Sequence, residues 1–114
     1  MCGKRAADVA VAEQQYQAAA SRFRDKARTA VKEVEEALVR LNSAELRLPQ
    51  GRAAVDGYRA NYLSLEALNQ NGLGSLLDVE TARRNMLSAE LALKTLEQER
   101  VSAWIALYRA AGGG

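Results

Sequence analysis

The side chains that carry most enzymatic chemistry are scarce in this sequence. It has no histidine, so neither a His general base nor a Glu-x-x-His metal motif can be built. Glu33, Glu35 and Glu36 bring three carboxylates close together. On a helix, however, adjacent acids point in different directions, and a shared cation site is not expected. No Ser or Cys sits in a nucleophile setting, and there is no Gly-rich phosphate loop. The expectation is no enzymatic activity, no cofactor and no metal. The one cysteine, Cys2, stands beside Met1. A lone thiol forms no internal disulfide and leaves the redox compartment unread. A lipidated cysteine would need a signal sequence ahead of it, so Cys2 reads as a leftover of how the chain begins.

Other polar groups have plainer roles. Asp78 is a helix-start acid that complements the helix dipole and the cap. Arg83 and Arg84 could meet an acidic partner but read as solvated helix face. Trp104 reads as packing at a helix interface, and Tyr58 and Tyr62 as core.

Composition limits what can hold these residues. The 114 residues suffice for one domain, and 48% are hydrophobic, yet only 5% are aromatic. Many apolar positions are Ala, which suits helices packed closely through small side chains and not a thick globular core. Charged residues make up 26% and nearly cancel, for a net charge of +2. No clustered basic surface argues for nucleic acid. No apolar run approaches the ~20 residues of a membrane-spanning helix.

Glycine and proline punctuate the chain. Pro49 and Gly51 lie mid-chain, Gly72 and Gly74 lie in Asn69–Ser75, and Gly112–Gly114 close it. Between them, Ala, Glu, Arg, Leu and Gln favour helix, and no stretch alternates as a strand would. The pattern predicts an all-α fold: a long antiparallel helical hairpin or coiled coil. One helix covers about 5–69, the tip turn 70–75, and a second helix about 76–111. Ser75 can cap the second helix, with Asp78 three residues on.

Apolar spacing in threes and fours gives the seams. In the first helix they are Val31, Val34, Leu38, Leu41 and Leu48, with Glu45 in a polar slot, then Val55, Tyr58, Tyr62 and Leu65, with Arg52 between. Upstream, Val9, Ala12, Tyr16, Ala19 and Phe23 repeat the spacing, with a stutter near Ala27. The second helix offers Val79, Ala82, Met86, Ala89, Leu93 and Leu96, reaching Leu107. Because the register survives Pro49, one long kinked helix is favoured over a break that would give three helices. A second stripe, Leu87, Leu91, Val101, Ile105 and Tyr108, needs a partner outside the hairpin. Helices of ~65 and ~36 residues would run about 95 and 54 Å. Residues near Val9 to Phe23 would therefore overhang, and self-association is expected.

Three stretches resemble one family, the TolC-like outer-membrane efflux proteins. They are Gly3–Val9 with Ala20–Phe23 and Ala30–Leu38; Asn71-Gly72-Leu73-Gly74-Ser75-Leu76-Leu77-Asp78-Val79; and Ala103–Gly114, ending Ala106-Leu107-Tyr108-Arg109-Ala110-Ala111-Gly112-Gly113-Gly114. Asn69 stands where the family commonly has an aromatic residue, and Thr81 where a second acid often follows. The resemblance implies the last helical hairpin of a periplasmic tunnel, contributed by each protomer of a trimer. It also implies a periplasmic adaptor and an inner-membrane pump as partners, serving small-molecule export. It places Asn71, Gly72 and Leu73 at the adaptor-contacting tip turn and Asp78 at the tunnel entrance. The parent protein would be embedded in the outer membrane; this segment would be its periplasmic part and soluble alone, as a dimer or other oligomer. The alternative is a stand-alone coiled-coil interaction protein whose likeness reflects heptads only.

Overall fold

Strong helix formers fill two long segments, and a glycine-rich stretch separates them; the backbone follows that division. A computed structural model describes residues 2–113. It consists of helix α1 (Cys2–Gln70), helix α2 (Leu76–Tyr108) and a short π turn (Arg109–Gly113). There is no strand among the described residues. Met1, Gly114 and the side chain of Cys2 lie outside them, and with these the reading of Met1-Cys2. Near the C-terminus, Gly112 takes φ +108°, the left-handed conformation that a glycine cap supplies.

The two helices run antiparallel as a hairpin 104 × 20 × 16 Å in extent. The 69 residues of α1 at 1.5 Å each give about 104 Å, so α1 alone spans the molecule. It is unbroken through Pro49, and the three-helix alternative is not adopted. Pro49 lies at an exposed position, where water can serve the Glu45 carbonyl that the ring leaves without a donor. Leu48 and Gly51, one on each side of it, hold α1 against α2.

The core is one seam. On α2 it follows the expected register: Val79, Ala82, Leu96 and Ala103 are buried, and Met86, Ala89, Leu93 and Leu107 half-buried. On α1 half of the expected register is displaced by one residue. Val34, Leu41, Leu48, Val55, Tyr62 and Leu65 face the seam, but the alternate column is Ala30, Ala37, Ala44 and Gly51. Val31, Leu38 and Tyr58 are exposed, Leu38 by 47% against 1% for Ala44. The reason is distance. A Cβ built at Gly51 would lie 3.0 Å from Leu96 Cδ1 and 3.4 Å from Leu93 Cδ1, so large side chains have no room between the backbones. They move to the flanks, while Ala and Gly let the helices close.

Ion pairs border the seam. Arg47 meets Glu99 at 3.4 Å, Arg59 meets Glu90 at 3.1 Å and Arg100 meets Glu45 at 4.0 Å, while Arg40 donates to Ser102 Oγ at 3.1 Å. All are solvent-accessible, so each contributes at most about 1 kcal/mol and chiefly favours one register. Beyond α2, the start of α1 stands alone. Val9, Tyr16 and Phe23 are exposed there, Phe23 by 74%, as the helix lengths imply.

Candidate functional site

The reversal between the helices is where the chain leaves helical geometry and presents side chains at one end of the hairpin. Its local chemistry is closed. Gly72, at φ +77°, occupies the left-handed position that only glycine takes without strain. Its N–H donates to the Asn69 carbonyl at 3.0 Å, and the Leu73 N–H donates to the Leu68 carbonyl at 2.8 Å. These two bonds make a Schellman C-cap, with Leu73 in the position that commonly makes an apolar contact back to the helix. Asn71 Nδ2 donates to the Ala67 carbonyl at 2.9 Å. Gly74, at φ +74°, turns the chain again. Ser75 then caps α2, its Oγ accepting from the Asp78 N–H at 3.1 Å. The carboxylate of Asp78 sits in the first turn of α2, where the helix dipole favours it.

Beneath this closed backbone the tip is apolar. Leu73, Leu76 and Leu77 are all exposed, as is Leu68 beside them. Asp78 is exposed next to them. Leu76 and Leu77 were not among the site residues expected from sequence. The signal was available: both precede Val79, where the seam register begins, so neither has a place against α1.

About two turns from the tip, polar side chains lie on both helices, each paired within its own helix. Arg83 donates to Glu80 Oε2 at 2.9 and 3.3 Å. That hydrogen bond, then the Glu80 charge, holds the Arg83 guanidinium above its ordinary range. The Tyr62 phenol is held above the ordinary 10.0, first by the Glu66 carboxylate one turn away, which favours the protonated phenol, and then by partial burial. Arg84 leans on Thr81. Tyr58 and Trp104, expected as core and interface packing, are both exposed. Within this hairpin they lie off the seam, because its inner positions are taken by smaller residues.

This arrangement closes a turn and presents apolar side chains at one end of the molecule. Among the described residues no group of three or more His, Cys, Asp or Glu converges to bind a metal ion, and no helix is long and apolar enough to cross a membrane.

A family model described as outer membrane efflux protein matches residues 1–113. Two relatives, both of Pseudomonas putida, are similar: the solvent efflux pump outer membrane protein SrpC and the toluene efflux pump outer membrane protein TtgI. Each is 27% identical over 112 residues, 98% of this chain. The chain spans 24% of the length of each relative. No solved structure matches. The family match covers nearly the whole chain, and the described residues form a helical hairpin: the chain belongs to the outer membrane efflux protein family.

Proposed function

We propose that this chain forms one helical hairpin, residues 1–114, in the wall of the periplasmic tunnel of a TolC-like efflux channel. It would serve as a passive conduit for small-molecule export. The supporting observation is an apolar face with no partner inside the hairpin. Leu87, Leu91, Val101, Ile105 and Tyr108 run down α2, and all are exposed although the α1–α2 seam is already filled. A helix with two apolar stripes needs neighbours on two sides, as a stave does in a closed wall. The family match over residues 1–113 favours this over a stand-alone coiled coil.

In this reading the parent channel is a trimer in the outer membrane, and the hairpin is its periplasmic part. The tip carries Asn71, Gly72 and Leu73 toward a periplasmic adaptor, which joins an inner-membrane pump. Three copies of Asp78 gather negative charge at the tunnel entrance. The role is structural, without catalysis or cofactor. The test is a chimaera in which residues 5–111 replace the matching segment of a solvent-efflux relative. Restored solvent resistance is the expected result. A chimaera that reaches the outer membrane at normal levels, assembles and exports nothing would overturn the proposal.

A further inference from the structure

We infer that α1 carries one built-in pivot at residues 45–51, about which the tip half of the hairpin deflects against the arm half. This goes beyond the tunnel reading and does not depend on it. Pro49 is the only proline and lies inside an unbroken helix. It removes one N–H that would bond the Glu45 carbonyl, and its ring crowds that carbonyl. The bond is therefore missing at one turn in the middle of a long ladder. Pro49 is exposed, whereas Leu48, Gly51 and Val55 face α2. Helices bend with the proline on the convex side, so a bend here swings both ends of α1 toward α2.

The seam is built for that motion at the same level. Leu96 and Leu93 would crowd any Cβ at Gly51, at 3.0 and 3.4 Å. They rest close against bare backbone beside the buried Leu48, so this turn is the point at which α1 is held while the lengths on either side of it bend. The ion pairs on the arm side of Pro49, Arg47–Glu99 and Glu45–Arg100, are exposed and 3.4 and 4.0 Å long. Such pairs tether without locking. Opposite them, α2 has neither Gly nor Pro from Leu76 to Tyr108. One helix gives at a point, and the other flexes along its length.

Amide hydrogen exchange on the 114-residue chain tests this with two variants. Pro49→Ala removes the pivot. Pro49→Ala with Asp56→Pro moves it one heptad, to another exposed position. In the wild type, amides 46–53 should exchange about tenfold or more faster than those of the paired turns at 38–44 and 55–62. Pro49→Ala should erase the difference, and the double variant should carry the fast stretch to 53–60. Equal protection across 38–62 in the wild type would overturn the pivot. So would a fast stretch that stays at 46–53 after the proline has gone. Helicity and sedimentation are compared across the three proteins. If the double variant loses helicity, the Pro49→Ala comparison decides alone.

Discussion

At the scale of single residues, two glycines in α1 separate packing from propensity. Gly57 is helical with nothing within 4 Å of a built Cβ, whereas Gly51 meets Leu96 Cδ1 at 3.0 Å. Alanine in a helix is favoured over glycine by roughly 0.5–1 kcal/mol. Gly57→Ala should therefore raise the melting temperature of the chain. Gly51→Ala should gain nothing or lose, because Leu96 must shift in an already filled seam. Circular dichroism melts read both, and equal gains would show that the close approach at Gly51 is not limiting. Tyr62 supplies a second test. Its pKa is raised above 10.0 by Glu66, so the folded chain holds the phenolic proton more tightly than the unfolded one. The stabilisation is present below pH 10 and is lost as pH rises through the folded value. Ultraviolet titration of the wild type minus Tyr62→Phe should give a phenol ionising above 10.0. Glu66→Gln should bring it down; an unchanged titration in Glu66→Gln would remove Glu66 as the cause.

The elements show what the sequence could and could not disclose. The reversal was legible because positive φ and capping require particular residues: Gly72, Gly74 and Ser75 take those roles. The α2 seam was legible because Val79, Met86, Leu93 and Leu96 contrast with their polar neighbours. The α1 seam was only half legible. Ala30, Ala37, Ala44 and Gly51 offer little apolar contrast, while Val31 and Leu38 look like core but lie on a flank. Which column turns inward depends on how near the backbones approach, and that is a property of the pair of helices. The exposed leucines of the tip were open to reading by register, since Leu76 and Leu77 fall before Val79 and outside the seam. The turn nevertheless allows a sharp test. Any side chain at Gly72 must adopt φ +77°, a strain of about 1–2 kcal/mol, and a large charged one would stand among the exposed leucines. In a full-length channel, Gly72→Arg should leave assembly intact and abolish export, measured as drug or solvent resistance beside the amount of assembled protein. Normal resistance would count against this turn as the docking tip.

For the whole molecule, the decisive quantity is apolar surface that the hairpin cannot reach. α1 extends well past the end of α2, and Val9, Tyr16 and Phe23 on that overhang stay in solvent, as do Leu87, Leu91 and Ile105 on the far side of α2. Refolding α1 onto itself would cover some of this area, but α1 is continuous through Pro49 and spans the full 104 Å. Burying a Leu or Phe side chain contributes roughly 1.5–3 kcal/mol. Several per chain can outweigh the cost of association, about 4–15 kcal/mol in lost freedom. The isolated chain should therefore self-associate. The partner surface need not be that of a tunnel: an antiparallel dimer forming a four-helix bundle covers the overhang as well as a trimer would. Sedimentation at micromolar concentration reads the outcome directly. A dimer or trimer with high helicity is expected, and it should dissociate when Leu91 and Phe23 are both changed to Lys while helicity in the paired region persists. A stable, fully helical monomer would overturn the argument, because the exposed stripes would then be tolerated by water without neighbours.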